Sequence, residues 1–182
     1  MCGIVGYVGF KDATPVLINS LKKLEYRGYD SAGIAVHCDG KIKTVKAKGK
    51  IAEGLEKRLC ENGVPSGVCG IAHTRWATHG EPSDVNSHPI GNERVSIVHN
   101  GIIENYREIK TFLISKGYTF ESETDTETVA KLIDYYYKGN PVDAIINVIN
   151  EVEGAYALGI VFRDYPDNIY AIRKESPLIV GK

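Results

Sequence analysis

Two stretches of this 182-residue chain hold side chains that could do chemistry together: Cys2, and the segment His73-Thr-Arg-Trp-Ala-Thr-His-Gly80. The second follows a short apolar run, Val68 to Ala72. A strand therefore delivers two histidines, an arginine, two hydroxyls and the single tryptophan to its end, where binding and catalytic groups concentrate. With Met1 removed, Cys2 brings a thiol and a free α-amine on one residue, a nucleophile and a base. Unperturbed pKa values of about 8.5 and about 7.7 let a proton pass between them near neutral pH, directly or through one water. With Met1 retained, that nitrogen is an amide and cannot serve as a base. The plainer reading of Cys2 is a small buried strand residue, since Gly3-Ile4-Val5-Gly6 after it is apolar.

These groups need elements to hold them. Residues 2 to 10 are small or apolar at both odd and even positions, the pattern of a strand covered on both faces inside a sandwich. Thr14 followed by Pro15 reads as a cap and first turn, and Leu17, Leu21 and Leu24 repeat at helical spacing up to Gly28. Asp39-Gly40, between Ala32 to Val36 and Ile42 to Val45, predicts a hairpin with a primed turn. A second helix runs from Ile51 to Cys60. Residues 75 to 94 hold Gly80, Pro82, Pro89 and Gly91 without periodicity, and a loop of that length is usually functional, often a lid.

Val95 to His99 is the next strand, with Asn100-Gly101 as its terminating turn, and Tyr106 to Leu113 a helix stopped by Gly117. Tyr118 to Glu121 is a short strand candidate. Thr124-Asp-Thr-Glu127 is a capping box opening a helix through Tyr136, which places Asp125 in its first turn. Pro141 begins a further helix; Ala155 to Phe162 and Ile169 to Arg173 form a second hairpin; Pro177 to Val180 starts one more strand. Strands and helices come in blocks, so the fold class is α+β, antiparallel sheets with helices packed outside.

With 22 basic and 23 acidic side chains the chain lacks the charge footprint of a nucleic-acid or anionic-membrane binder and points to a small-molecule partner. No run approaches the 18 to 20 apolar residues of a membrane span and no signal-peptide pattern is present, so a cytoplasmic location is expected. Cys2, Cys38, Cys60 and Cys69 lie far apart without a CxxC, and the histidines lack close ligand spacing, so neither disulfides nor a metal site is signalled. The glycines at 3, 6 and 9 do not form a phosphate-binding GxGxxG, and no cofactor is expected.

Five ordered motifs, Met1-Cys-Gly-Ile-Val-Gly6, Glu25-Tyr-Arg-Gly-Tyr-Asp-Ser-Ala-Gly33, His73 to Gly80, His99-Asn-Gly101 and Ser122-Glu-Thr-Asp-Thr-Glu127, resemble the glutaminase domain of the glucosamine-6-phosphate synthase family over essentially the whole chain. The resemblance implies a class II glutamine amidotransferase with the four-layer αββα fold of the N-terminal-nucleophile hydrolases. It implies hydrolysis of L-glutamine to glutamate and ammonia, and delivery of the ammonia to a C-terminal sugar isomerase domain that aminates fructose 6-phosphate. That isomerase is not in residues 1–182, which also stop short of the family's glutaminase domain, so a C-terminally truncated sandwich is expected. Such a chain would expose sheet surface and be open to self-association.

The resemblance further implies roles for single residues. Cys2 would attack the amide carbon; Asn100 and Gly101 would form the oxyanion hole; Arg75 would take the substrate α-carboxylate and Asp125 its α-ammonium. Thr78 and His79 would line the pocket, Trp76 would close over it, and Arg27 would support the nucleophile. Four of these assignments have a plainer alternative: a tight turn for Asn100-Gly101, a first-turn charge for Asp125, a surface ion pair for Arg75, a core ring for Trp76. Two other readings compete, the glutaminase half of another amidotransferase and a silent domain that binds glutamine without turnover.

Overall fold

The computed structural model describes residues 2–76 and 80–181. Among these residues the strands form two antiparallel sheets. The first holds β1 (Gly3–Val8), β2 (Ser31–Cys38), β3 (Lys41–Lys48) and β4 (Cys69–Arg75) in the order β1-β4-β2-β3. The second holds β5 (Ile90–Gly91), β6 (Val95–Ile103), β7 (Gly154–Phe162) and β8 (Tyr170–Lys174) in chain order. Helix α1 (Ala13–Leu24) and α2 (Lys57–Asn62), the latter preceded by a π-helical segment Ile51–Glu56, pack on the first sheet. Helices α3 (Tyr106–Ser115), α4 (Asp125–Tyr136) and α5 (Pro141–Glu151) pack on the second.

Three apolar cores separate these four layers, which is the αββα sandwich that the resemblance implies. Successive strand residues face opposite ways, so one strand serves two cores. In β2, Ala32, Ile34 and Val36 pack toward α1, while Ala35 meets Cys69, Ile71, Val98 and Val161 between the sheets. In α1, Leu17 and Leu21 lie one turn apart and are fully buried, each stabilising the fold by about 1.5 to 3 kcal/mol. The same alternation sets up the site. Ile71 on β4 faces the second sheet, and His73 and Arg75 follow it on that face; Val98 on β6 faces the first sheet, Asn100 follows it, and His99 between them turns toward α4.

The Asp39-Gly40 hairpin forms as predicted, with φ of 53° and 72° at the two turn residues, as does the second hairpin between β7 and β8. Several local expectations are corrected. β1 is not interior but the edge of its sheet, with Gly6 and Val8 exposed; its apolar pattern reflects Val5 and Tyr7 packing toward α1 and Ile4 packing between the sheets. The cap of α1 is Asp12, which accepts from the Thr14 amide, whereas the Thr14 hydroxyl donates to the Pro65 carbonyl.

Asn100-Gly101 does not end its strand, since β6 runs on to Ile103. Tyr118 to Glu121 is no strand, because the amides of Glu121 and Ser122 donate to the Glu127 carboxylate at 3.0 and 2.6 Å instead of to a neighbouring strand. That also leaves the capping box half made: Thr124 accepts from the Glu127 amide, but the Glu127 side chain is committed elsewhere. Pro177 to Val180 is irregular; Glu175, with φ of 63°, turns the chain out of β8. Residues 80 to 91 are pinned rather than loose, with Asn86 bonded to Glu81 and Glu123, and Asp84 to the Lys48 amide and Arg58. Among the described residues no helix is long and apolar enough to cross a membrane.

Candidate active site

The register of β1 against β4 pairs Gly3 with Thr74, which brings Cys2 beside the Arg75–Trp76 backbone. Glycine is required at position 3: a Cβ there would stand 2.8 Å from the Thr74 hydroxyl and 2.9 Å from Leu24. The Trp76 amide donates to the Cys2 sulfur at 3.2 Å, and the thiol lies 3.5 Å from the Trp76 carbonyl. Burial pushes the Cys2 thiol above its ordinary pKa and Asp30 adds to this, while the Trp76 amide and the Arg75 charge pull it down. At neutral pH the sulfur is therefore held as a thiol that needs a base.

The segment after α1 braces this backbone. Glu25–Arg27 forms a short 3₁₀ turn; Gly28 packs so closely that a Cβ would sit 2.7 Å from the Arg75 carbonyl carbon; and the Asp30 amide donates to the Arg75 carbonyl at 3.2 Å. The Trp76 ring is half exposed and stands edge-on to Tyr29, with centroids 5.4 Å apart.

Asn100, at the end of the face that β6 turns to the first sheet, donates through Nδ2 to the Cys2 carbonyl at 3.1 Å. Gly101 follows with φ of 126°, and a Cβ there would fall 2.1 Å from the Ala155 carbonyl oxygen, so a side chain is excluded by both conformation and space. Cys2, Arg27, Trp76, Asn100 and Gly101 line one cavity of about 500 Å³, closed on another side by Ser176 to Ile179. A second cavity of about 590 Å³, lined by Lys46, Arg58, Asp84 and Glu127 among others, contains none of the residues predicted to do chemistry.

Arg75 and Asp125 are both buried and do not line the Cys2 cavity. The Arg75 guanidinium donates to the carbonyls of Gly80 at 3.0 Å and Glu81 at 3.4 Å, so it organises the loop that follows Trp76. Desolvation lowers its pKa, and the negative charges of Asp30, Asp125 and Glu123 oppose that. Asp125 accepts from the Ile103 amide at 2.9 Å and thereby ties the first turn of α4 to the end of β6. It is not merely a favourable first-turn charge. Thr78 and His79, along with Met1, lie outside the described residues.

Sequence reasoning assigned no role to His73, His88 and His99, which the fold gathers behind Asn100. The rings of His73 and His88 meet edge-on with centroids 4.4 Å apart, and those of His88 and His99 at 6.5 Å. Desolvation lowers the pKa of His73 to about 3 and that of His88 well below its ordinary value, so both rings are neutral. The three come from β4, the loop and β6, and no sequence spacing announces their contact.

Set against known proteins, residues 73–181 match the glutamine amidotransferase domain family. The chain belongs to that family. Glutamine amidotransferase domains of this kind occur in longer relatives: the whole chain is 59% identical to part of the glutamine–fructose-6-phosphate aminotransferase (isomerizing) of Clostridium acetobutylicum and 50% identical to part of that of Thermotoga maritima. The chain spans about 30% of the length of these curated relatives. Among solved structures, the glutamine phosphoribosylpyrophosphate amidotransferase of B. subtilis superposes with a TM-score of 0.75 at 29% identity, over 90% of this amidotransferase domain and 35% of that chain.

Proposed function

We propose that this amidotransferase domain hydrolyses the side-chain amide of L-glutamine to glutamate and ammonia, with Cys2 as nucleophile. One observation carries the reading: the Cys2 thiol opens onto a cavity that also holds the Asn100 carboxamide and the Gly101 backbone. Once Met1 is removed, the α-amine of Cys2 takes the thiol proton and the sulfur attacks the amide carbon. The oxyanion so formed accepts from the Asn100 side chain, whose NH₂ has two donors and uses one on the Cys2 carbonyl, and from the Gly101 amide. Collapse returns the proton to the leaving nitrogen and releases ammonia; water then attacks the thioester and frees glutamate and the thiol.

As the family resemblance implies, Arg75 takes the substrate α-carboxylate with its planar fork and Asp125 the α-ammonium, which requires both to be reached from the Cys2 cavity they do not line in this structure, and Thr78 and His79 complete the pocket. Trp76 covers the site, and Arg27, on the wall of the same cavity, supports the nucleophile. The names of the relatives support delivery of the ammonia to a sugar isomerase domain, for conversion of fructose 6-phosphate to glucosamine 6-phosphate. Residues 1–182 act in this reading as the glutaminase part of such a protein, cytoplasmic and without a cofactor.

The test is ammonia and glutamate release from glutamine by material shown by mass to begin at Cys2, with Cys2→Ala as control. Stoichiometric release that the substitution abolishes supports the reading. Binding of glutamine without turnover would replace it with the silent domain.

A further inference from the structure

Behind Asn100 the buried polar groups form a closed circuit. His73 Nε2 lies 2.9 Å from the His99 carbonyl oxygen and 3.0 Å from Asn100 Oδ1. The other nitrogen of the ring, Nδ1, lies 3.3 Å from His88 Nδ1; His88 Nε2 lies 2.8 Å from the Thr126 hydroxyl, and that hydroxyl lies 2.9 Å from His99 Nδ1. All four side chains are buried. The circuit thus leaves residue 99 through its ring and returns to it through its backbone, joining β6, α4, the loop and β4.

Its polarity is fixed at both ends by carbonyl groups, which can only accept. The His99 carbonyl demands a proton on His73 Nε2, and the Cys2 carbonyl, 3.1 Å from the Asn100 amide nitrogen, demands that the NH₂ of Asn100 point to Cys2 and its oxygen to His73. A neutral His73 then has a bare Nδ1, so His88 must donate from Nδ1. His88 Nε2 is in turn bare and takes the Thr126 proton, and Thr126 accepts from His99 Nδ1. Running the circuit the other way would leave two acceptors facing each other at the His99 carbonyl.

We propose that His73, held in its Nε2-protonated tautomer by His88, Thr126 and His99, is a positioning residue that locks the Asn100 carboxamide with its donors toward the reacting carbonyl. This rests on the glutaminase reading above. It explains why a cluster of three histidines is buried where none reaches the nucleophile, and it links the α4 turn that carries Asp125 to the oxyanion donor through Thr126.

Two measurements test it. The first needs no turnover: long-range ¹H–¹⁵N spectra of the imidazoles should show His73 protonated at Nε2 and His88 and His99 at Nδ1, and any other tautomer pattern overturns the circuit. The second compares His73→Gln, whose amide nitrogen can stand where Nε2 stood, with His73→Asn, which can replace only Nδ1. His73→Asn should lower kcat about 10- to 100-fold with KM changed less than about twofold, and His73→Gln should restore most of it. In an Asn100→Ala background neither substitution should lower kcat further. Equal kcat for the two variants, or losses that multiply with Asn100→Ala, would overturn the proposal, while absence of turnover by the unsubstituted protein would fault the glutaminase reading and leave the spectra to decide the circuit. Melting temperatures of both variants identify any loss that is due to unfolding.

Discussion

The Trp76 amide stands 3.2 Å from the Cys2 sulfur, so the residue whose ring flanks the cavity also fixes the proposed nucleophile through its backbone. This contact depends on β1 pairing with β4 one residue short of Cys2, an arrangement that leaves the N-terminal nitrogen next to the thiol and on no strand ladder.

In the proposed mechanism that nitrogen decides activity. Protein that retains Met1 carries an amide where the base should be and is expected to show no turnover, whereas protein beginning at Cys2 is active; intact mass and ammonia release on the same preparations check this. The pH dependence has a defined sign. The competent form has a neutral amine, so kcat/KM should rise as pH passes about 7.7. The thiol must still hold its proton, and because burial pushes the Cys2 thiol up, the alkaline fall is displaced upward. A profile flat from pH 6 to 9 would remove the amine from the mechanism.

Gly101→Ala is expected to cost about 2 kcal/mol or more, since it adds a clash with the Ala155 carbonyl to an unfavourable φ of 126°. Gly117→Ala is the internal control: its φ is 89°, but a Cβ there meets nothing within 4 Å, so its cost should stay near 1 kcal/mol. Urea denaturation of the pair reads the difference, and equal losses would mean that β6 and β7 part easily at this point.

Stability should fall on mild acidification. Unfolded, a histidine takes up its proton near pH 6.5, but burial holds His73 neutral down to about 3 and His88 neutral far below its ordinary value. Between those limits the unfolded state binds more protons, so stability is present above about pH 6.5 and drains away as pH falls, by up to about 1.4 kcal/mol per pH unit for each ring. His37, buried with a lowered pKa, adds to the slope. Glu127 and Asp134, whose pKa values are lowered by hydrogen bonds despite burial, contribute only at lower pH. Thermal melts between pH 6.5 and 5 should therefore show a falling Tm, shallower in His88→Gln; parallel curves for the two proteins would indicate that His88 is charged or solvated in the fold.

Much of this was legible in the sequence because it is local. The Asp39-Gly40 turn, the periodic leucines of α1, the Thr124 half of the α4 capping box and the proline that opens α5 all act within a few residues, and each appears where the pattern places it. The misses share the opposite cause. The Asn100-Gly101 pair has the chemistry of a turn, but pairing with Ala157 and Tyr156 carries the strand through it. The Tyr118 to Glu121 segment has strand composition, but the Glu127 carboxylate captures its amides. The histidine circuit depends on the two sheets lying face to face, which no window of sequence contains.

Asp125→Asn separates recognition from folding. The substituted side chain still offers an oxygen to the Ile103 amide, so the tie between α4 and β6 survives, and the melting temperature should move by no more than a few degrees. What is lost is the negative charge that the α-ammonium of glutamine would meet in a buried setting, where pairing to a charged group is worth about 1.5 to 3 kcal/mol. KM for glutamine should accordingly rise about 10- to 100-fold with kcat much less affected. Arg75→Lys should behave differently, because it loses both the fork for the α-carboxylate and the two bonds that hold the Gly80 and Glu81 carbonyls, so KM and thermal stability should worsen together. If Asp125→Asn leaves KM unchanged, the substrate is gripped at its amino end by some other group, and Asp125 is a structural clasp between helix and strand.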